Sequence, residues 1–257
     1  MILNEIVAHK RREVAAKIAV RSASDVATQA EHAPRPASFR AALTQRGLSF
    51  IAEIKGASPS AGTIRSGVDP VMVAEAYEAG GAAALSVLTD ARYFQGSWEA
   101  LGAVCRATRL PVLCKEFVVD SYQIDEARAA GASAVLLIAA ILDGAQLRVF
   151  LEHARRRELD ALVEVHTPDE VVGALDAGAA IIGINNRNLT TLQVDLETTA
   201  RLRPGIPAGV VVVSESGIAT RAQVEQLERL GIDAVLVGTS LMGSPDPSAK
   251  LRELRGG

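Results

Sequence analysis

The chain repeats a short unit in which a helix end, a glycine and an apolar run follow one another. The unit occurs at 79–88, 130–138, 177–184 and 230–238, and its glycines, the first of them Gly80, are spaced 51, 47 and 53 residues apart. A glycine is typical of a helix end, and an apolar run of this length is typical of a buried strand. Because one strand and its helix take about 25–30 residues, each interval predicts two such units.

Four further apolar runs lie where this spacing expects them, at 49–55, 111–117, 160–166 and 209–215. Eight strands alternating with helices predict a closed (β/α)8 TIM barrel, and an open doubly wound sheet is the weaker alternative. Residues 49–257 contain no linker and no shift of composition, so we expect one α/β domain.

The first 48 residues predict a helical extension that precedes the barrel. Residues 2–20 carry a broad apolar stripe that includes Ile6, Val14 and Ile18, which indicates an amphipathic helix. A looser segment follows, and Ser38 suits the N-cap of a short helix to about Gln45. We treat 1–48 as an extension within the same domain as the barrel.

Composition narrows the function classes. Of the 257 residues 49% are apolar, only 4% are aromatic, and the net charge of −3 gives no support to binding of nucleic acid or of an anionic membrane surface. Two cysteines, Cys105 and Cys114, are too few for a disulfide framework and fit a reducing, cytoplasmic compartment. The N-terminus has charges throughout, unlike a secretory signal, and no segment has the roughly 20 apolar residues of a membrane span.

Charged residues interrupt the apolar strands near their carboxyl ends. Glu53 and Lys55 end the first strand, Lys115 the third, Glu164 the fifth and Glu215 the seventh. In a TIM barrel the inward residues of alternate strands share a layer, and active sites lie at the carboxyl ends of the strands. We therefore expect these five side chains to converge.

Isolated charges inside a barrel would be costly, so mutual pairing or a ligand must compensate them. A set of ion pairs that serves stability is the alternative to an active site. Two lysines beside three carboxylates would shift one another's pKa values, which favours general acid–base chemistry. Asn185 and Arg187 follow the sixth strand. His166 lies on the same strand face as Glu164. For His166, a role in anchoring the adjacent loop is at least as well supported as a role in catalysis.

Two glycine-containing loops predict the substrate class. Ser216 and Gly217 follow the seventh strand, and Gly238 and Thr239 follow the eighth. Glycines let backbone N–H groups approach an anion, and loops seven and eight are the usual phosphate site of phosphate-binding barrels. The sequence has no metal-ligand spacing, dinucleotide fingerprint or nucleophile motif, so we expect neither a metal nor a cofactor.

The motifs resemble the indole-3-glycerol phosphate synthase family of tryptophan biosynthesis over nearly the whole chain. They are ILNEIVAHKRREV, AEIKGASPSAGTIR, SVLTDARYFQGS, LCKEFVVDSYQI, LVEVHTP, IGINNRNL, VSESGI and LVGTSLM, in this order. The resemblance implies a cofactor-free lyase that closes the ring of 1-(2-carboxyphenylamino)-1-deoxyribulose 5-phosphate to indole-3-glycerol phosphate, with loss of CO2 and water.

The resemblance also implies roles for the converging residues. Lys115 would act as general acid on the ribulose carbonyl, and Glu164 would assist proton transfer in the later dehydration. Lys55 would hold the substrate carboxylate and is a second candidate acid, so the division of steps between the lysines stays open. Glu53, Asn185 and Glu215 would orient these groups and bind the substrate hydroxyls.

The binding residues follow from the same resemblance. Substrate contacts are assigned to Ser58, Pro59, Phe94, Phe117, Leu136 and Arg187, of which Pro59, Phe94, Phe117 and Leu136 would form an apolar slot for the aryl ring. The phosphate would lie on the amides of Ser216, Gly217, Gly238 and Thr239, and the leader helix would be a lid over the mouth. The chain departs from many relatives at Gly56, Ala61 and Cys114, where they carry basic residues, so some auxiliary positive charge is in doubt.

Two other functions remain as alternatives. Phosphoribosylanthranilate isomerase shares the phosphate loops, but its reaction has no use for a carboxylate-binding lysine and its barrel lacks so long a leader. A non-catalytic phosphate-binding scaffold would bind ligand without turnover, which the intact acid–base set disfavours. We expect a small sugar phosphate as the only ligand class and a monomer or weak homo-oligomer.

Overall fold

Eight parallel strands form a closed barrel in chain order. In this computed structural model, which describes residues 2–58, 62–64 and 67–257, β1 pairs with both β2 and β8 and closes the sheet. The strands are β1 Ser49–Ile54, β2 Ala84–Leu88, β3 Val112–Lys115, β4 Ala134–Ile138, β5 Asp160–Val165, β6 Ile181–Asn185, β7 Val211–Glu215 and β8 Ala234–Val237. The TIM-barrel prediction is confirmed, and the open sheet is wrong.

Helices surround this barrel and cap its two ends. They are α1 Ile2–Val20, α2 Ala23–His32, α3 Phe39–Leu43, α4 Pro70–Ala79, α5 Ala91–Phe94, α6 Trp98–Ala107, α7 Ser121–Ala129, α8 Gly144–Arg156, α9 Pro168–Asp176, α10 Glu197–Leu202, α11 Arg221–Arg229, α12 Thr239–Met242 and α13 Pro247–Arg255. Within the described residues no helix has the length and apolar character needed to cross a membrane.

Alternation along each strand divides the core into two layers. On β1, Ile51 points into the barrel interior, whereas Phe50, Ala52 and Ile54 pack in the layer between strands and helices. Every residue of β1 is buried, because a parallel barrel covers both faces of its strands. This explains why the strands appear in the sequence as continuous apolar runs.

One detail of the repeated unit differs from the prediction. The left-handed residue after the first helix of the series is Gly81, with φ of 88°, and Gly80 before it has φ of −76° and helical geometry. The other three copies follow the expected pattern, as at Gly131 with φ of 93°. Gly81 is therefore the position at which a side chain would strain the backbone.

The leader wraps the barrel from one end to the other. α2 is a regular helix where a looser segment was expected, with Ser22 as its N-cap and its buried Val26 packed against Tyr122 on α7. Ser38 caps α3 as predicted, and Phe39 and Leu43 fill the barrel interior. Asp160, the first residue of β5, accepts a hydrogen bond from the Arg40 amide at 2.8 Å. α3 thus plugs the amino end of the barrel.

A buried ion cluster attaches α1 to the opposite end. Lys10 of α1 is 1% exposed, and its Nζ lies 2.9 Å from Asp90 Oδ2, 3.0 Å from Glu13 Oε2 and 3.1 Å from Glu116 Oε1. Asp90 lies in the loop after β2, and Glu116 directly follows Lys115. These four residues, here called the Lys10 cluster, fix α1 beside the carboxyl end of the barrel.

Candidate active site

Five charged side chains meet at the carboxyl end of the barrel, as the sequence predicts. Lys115 Nζ lies 3.4 Å from Glu215 Oε2, 3.5 Å from Glu53 Oε2 and 3.9 Å from Glu164 Oε2. Lys55 Nζ donates to Glu53 Oε1 at 2.7 Å. Glu53, Lys115, Glu164 and Glu215 come from β1, β3, β5 and β7, whose inward side chains share one layer, and Lys55 directly follows β1. We call them the Lys115 cluster.

Burial makes the charges of the Lys115 cluster depend on one another. Burial alone would lower the pKa of Lys115, but Glu215, Glu53 and Glu164 outweigh it and raise the pKa above its ordinary value. Burial would raise the pKa of Glu53, but Lys55 and Lys115 hold it below its ordinary range. The Lys115 ammonium and the Glu53 carboxylate are therefore the ionised forms at neutral pH.

Glu215 behaves differently from the other carboxyls of the cluster. Burial, helped by the charges of Glu164 and Glu53 and opposed by Lys115, raises the pKa of Glu215 to about 7. Its two oxygens accept no well-aligned hydrogen bond from the described residues. Three carboxyls share two lysines here, so Glu215 is the one that holds or releases a proton near neutral pH.

Two glycines leave room for these carboxyls. A Cβ at Gly183, on β6, would overlap Glu215 Oε1, and a Cβ at Gly238 would crowd Glu53 Oε1 and Lys55 Nζ. Neither glycine needs a left-handed backbone. Both are required because the charged side chains occupy the space that a methyl group would fill.

The Lys115 cluster forms the floor of a cavity of about 430 Å³. All six predicted catalytic residues line it, namely Glu53, Lys55, Lys115, Glu164, Asn185 and Glu215. Leu3 and Ile6 of α1 also line it, so the leader contributes part of the wall. A cavity of this size with an apolar wall and a charged floor suits a small aromatic anion.

An apolar wall faces the charged floor. Phe94 and Phe117 line the cavity with ring centroids 5.9 Å apart, and Leu136 from β4 lies in the same lining. Asp90 caps α5, which carries Phe94, and Glu116 accepts a hydrogen bond from the Phe117 amide at 2.7 Å. The Lys10 cluster thus also holds the segments that carry both rings.

The loop after β6 supplies polar groups at the side of the cavity. Asn185 Oδ1 accepts from the Arg187 amide at 2.9 Å, and the Arg187 guanidinium donates to Leu192 O at 2.9 Å. Asn186 points away from the cavity and bonds Ser214 and Thr199 beneath the loop. The fixed loop leaves Arg187 on the cavity wall, where the sequence predicts it.

The two predicted phosphate loops lie side by side on the cavity. Ser216 has φ of 70° and Gly217 has φ of 83°, so two successive residues adopt left-handed geometry. Asn186 donates to Ser216 O at 3.2 Å, and Ser240 donates to Ile218 O at 2.9 Å, which joins the loop after β7 to the one after β8. Ser216, Gly217, Gly238 and Thr239 all line the cavity.

The β1 loop is only partly described. Pro59 and Ala61 lie outside the described residues, and Ser58 ends the first of two short strands, Ala57–Ser58 and Gly62–Thr63, which pair in antiparallel orientation. Cys114 points outward into the layer between strands and helices, and burial raises the pKa of its thiol well above the ordinary value. Its neutral thiol therefore contributes no charge to the cavity.

Sequence reasoning missed several residues at the site. Four apolar residues also line the cavity, namely Leu3, Leu189, Leu192 and Ile218. Glu116 lines it as well, and its ion pair with Lys10 holds it there. The resemblance implied that the leader helix covers the mouth, but the apolar stripe of α1 did not show that Leu3 would line the cavity. No local signal marked Glu116, because its partner Lys10 lies 106 residues earlier in the chain.

The chain is similar to known proteins over nearly its whole length. The family model described as indole-3-glycerol phosphate synthase matches residues 3–254. A protein of that name from Mycolicibacterium gilvum is 47% identical over 98% of this chain and 93% of its own length. One from a Roseiflexus species is 46% identical over 100% of this chain and 98% of its own.

Solved structures show the same architecture at low identity. Thiamine phosphate pyrophosphorylase from Pyrococcus furiosus is 20% identical with a TM-score of 0.61, and covers 81% of this chain and 93% of its own. 3-Hexulose-6-phosphate synthase from Salmonella typhimurium is 14% identical with a TM-score of 0.66, and covers 80% of this chain and 96% of its own. At this identity the likeness shows the fold alone.

Proposed function

Because this chain belongs to the indole-3-glycerol phosphate synthase family, we propose that the Lys115 cluster closes the indole ring of 1-(2-carboxyphenylamino)-1-deoxyribulose 5-phosphate. The observation that carries this assignment is the position of Lys115, which lies within 3.9 Å of three carboxyls on the cavity floor. A lysine so placed can give up a proton and recover it from a neighbour without leaving the pocket.

Ring closure forms a carbon–carbon bond. The aryl carbon that bears the carboxylate attacks the ribulose carbonyl carbon, the carbonyl electron pair moves to oxygen, and Lys115 donates a proton to that oxygen. The nitrogen lone pair supplies the attacking electrons and leaves an iminium. A buried ammonium stabilises the developing oxygen charge more than water would, because the pocket has a low effective dielectric.

Decarboxylation follows without a cofactor, because the iminium accepts the electrons of the breaking carbon–carbon bond. Lys55, which donates a hydrogen bond to Glu53 at 2.7 Å, is the residue that we assign to the substrate carboxylate. Glu53 holds the ammonium in place and stays ionised itself. The lysine thus orients the carboxylate above the ring plane until CO2 departs.

Dehydration completes the aromatic ring. Glu164 takes a proton from the carbon next to nitrogen, the electrons form the ring double bond, and the hydroxyl leaves as water with a proton from a lysine. Acids thus donate two protons and Glu164 accepts one. The site therefore supplies one proton per turnover. The overall reaction requires this proton, because the substrate enters with an ionised carboxylate and that group leaves as neutral CO2.

Substrate binding uses the rest of the cavity. The aryl ring lies between the apolar wall formed by Phe94, Phe117 and Leu136 and the charged floor. The phosphate lies against the loops after β7 and β8, where Ser216 and Gly217 hold their amides in left-handed geometry. α1 acts as the lid, with Leu3 and Ile6 in the cavity lining.

Two rival functions predict other behaviour. An isomerase of phosphoribosylanthranilate would not need Lys55 poised for a carboxylate, and a scaffold would not need Glu215 at a pKa of about 7. We place the protein in the cytoplasm, which suits its two free cysteines, as a monomer or weak homo-oligomer.

The test is a fluorescence assay with purified protein and the carboxyphenylamino substrate, with and without a chelator. The proposal expects indole fluorescence to rise at the same rate in both. No rise, with phosphate-ligand binding intact, would favour the scaffold, and turnover of phosphoribosylanthranilate alone would favour the isomerase. A rise abolished by chelator would require a metal that the proposed steps omit.

A further inference from the structure

We propose that Asn186 is a positioning residue of the phosphate site, because its side chain sets the direction in which the Gly217 amide points. Asn186 lies beneath the loop after β7 and is not part of the cavity lining, so it acts through the backbone of Ser216 and Gly217. The inference rests on the proposed function, which places the substrate phosphate on this loop.

The neighbouring groups determine which way round the Asn186 amide lies. Its Oδ1 accepts from the Thr199 amide at 3.2 Å and from Thr199 Oγ1 at 2.8 Å. Its Nδ2 donates to Ser214 Oγ at 3.1 Å and to Ser216 O at 3.2 Å. A backbone N–H can only donate and a carbonyl oxygen can only accept, so the opposite orientation would lose both backbone partners. The Nδ2 donor is therefore directed at Ser216 O.

The polar groups around Asn186 form a closed network that joins β6, β7 and α10. Asn186 is 2% exposed, and Thr199 and Ser214 are fully buried. Thr199 Oγ1 and Ser214 Oγ share a hydrogen bond at 2.8 Å, and the Asn186 amide donates to Glu215 O at 2.9 Å. An apolar side chain could fill this space without the cost of burying an amide, but it could not hold a carbonyl group.

The hydrogen bond to Ser216 O also sets the direction of the next amide. The peptide bonds of the described residues are trans, so the Ser216 carbonyl and the Gly217 N–H point in opposite directions. Asn186 holds the carbonyl on the side of the loop away from the cavity. Because Gly217 itself lines the cavity, its N–H is presented to an anion bound there.

Ser216 needs this support because its backbone conformation is unfavourable. Its φ of 70° is uncommon for a residue with a side chain, whereas Gly217 adopts its φ of 83° at little cost. A return of Ser216 to right-handed geometry would rotate the peptide between the two residues and turn the Gly217 N–H off the cavity. The bond from Asn186 opposes that rotation.

The test compares wild type and N186A on two substrates, the carboxyphenylamino deoxyribulose phosphate and the same compound without its phosphate. We expect N186A to lower kcat/KM for the phosphorylated substrate on the order of tenfold to a hundredfold, mainly through KM, which is the effect of one hydrogen bond to a charged group. For the substrate without phosphate, kcat/KM should stay within about twofold of wild type.

A binding measurement makes the same comparison without turnover. Titration calorimetry with glycerol 3-phosphate should show that N186A raises the Kd on the order of tenfold or more. Circular dichroism establishes that the variant is folded.

Two further variants separate positioning from stability. T199V keeps the side-chain shape and removes the hydroxyl that orients Asn186, while the Thr199 amide still donates to Oδ1. It should lose about threefold to tenfold, again only toward ligands that carry a phosphate. N188A is the matched control in the same loop, because the exposed Asn188 side chain accepts from the amides of Thr190 at 2.8 Å and Thr191 at 2.9 Å. It should equal wild type in every assay.

The possible results distinguish this inference from the proposed function. Wild-type binding of glycerol 3-phosphate by N186A would overturn the positioning role alone. An equal loss toward both substrates in N186A and T199V would also overturn it and leave Asn186 a structural residue. If N186A does not fold, the selectivity of T199V decides. A wild type without turnover would overturn the proposed function, and calorimetry would still decide on Asn186. A wild type that does not bind glycerol 3-phosphate would overturn the phosphate site and this inference with it.

Discussion

Two buried lysines, each surrounded by carboxyls, lie near the same end of the barrel. The Lys10 cluster has ion-pair distances of 2.9–3.1 Å, and its lysine is 1% exposed. In the Lys115 cluster the distances from Lys115 are 3.4–3.9 Å, and the lysine side chain is 15% exposed. The same residue types are thus packed tightly at one site and loosely at the other.

The surroundings of the carboxyls differ as well. In the Lys10 cluster Glu116 accepts from Thr89 Oγ1 at 2.8 Å and from the Phe117 amide at 2.7 Å, and Asp90 accepts from the Tyr93 amide at 2.7 Å. Glu215 in the Lys115 cluster has no such well-aligned donor among the described residues.

The comparison shows what separates an ion cluster that holds structure from one that can react. Where a carboxyl accepts a hydrogen bond on each oxygen, as Glu116 does, moving a proton costs several hydrogen bonds at once. Where the distances are long and a cavity adjoins, a proton can move and a substrate can enter. The two sites differ in the donors that hold Glu116 but not Glu215, whereas Asp90 Oδ2, like both oxygens of Glu215, accepts no well-aligned hydrogen bond from the described residues.

The largest expected effect is on activity, from K115M. The methionine keeps the side-chain volume but removes the acid, so kcat should fall by about 10³-fold or more. Circular dichroism should show the native fold, because the three carboxyls can take up protons in place of the lost charge. K250M, at a lysine on α13 that pairs with Glu253, is the control and should be fully active. Full activity of K115M would remove Lys115 from the mechanism.

The opposite outcome is expected for K10M, which should lower the free energy of unfolding more than it lowers kcat. Removing Lys10 leaves two buried carboxyls, Asp90 and Glu116, without their cation, at a cost of about 3 kcal/mol or more in the free energy of unfolding. KM should rise, because α1 carries part of the cavity wall. K17M is the matched control on the same helix, where Lys17 pairs with Glu126 at 3.0 Å but is partly exposed, and it should cost about 1 kcal/mol or less. If K10M and K17M lowered the free energy of unfolding in urea by the same amount, the ion pairs of Lys10 and of Lys17 would not differ in their contribution to stability.

The smallest expected effect on stability comes from E215Q, and it takes the form of a dependence on pH. The folded pKa of Glu215, about 7, exceeds its ordinary value of 4.5, so the wild type loses stability as pH rises through this window. E215Q lacks this loss and should gain about 2 kcal/mol relative to wild type between pH 5 and pH 8.

The control for E215Q is E53Q, for which the sign reverses. The pKa of Glu53 is held below its ordinary value, so its contribution to stability is present at neutral pH and is lost as pH falls. E53Q should therefore be more destabilised, relative to wild type, at pH 7 than at pH 4. Unfolding curves with the same pH trend for both variants would contradict the assigned division of protons.

The sequence predicts the barrel and the convergence of its charges because both follow from local patterns. Continuous apolar runs identify strands that are buried on both faces, and their regular spacing counts the βα units. The alternation of side chains then puts Glu53, Lys115, Glu164 and Glu215 in one layer. These inferences need no knowledge of distant contacts.

What the sequence does not predict depends on contacts between distant segments. Lys10 lies next to Arg11 and Arg12 in an amphipathic pattern, and only its partners Asp90 and Glu116 explain its burial. α2 has few apolar residues and becomes a helix because Val26 packs against α7. The choice between Gly80 and Gly81 as the left-handed residue is likewise not visible in a pair of adjacent glycines.

Gly183 also suggests how the pocket could be redesigned. The hydrogen at its Cα is what admits the seventh-strand carboxyl to the floor of the cavity. A single added methyl at this position would displace Glu215, which is the nearest carboxyl partner of Lys115. Moving this carboxyl out of the floor would make the pocket more positive, so a residue that carries no functional group helps to set how anionic a ligand the barrel accepts.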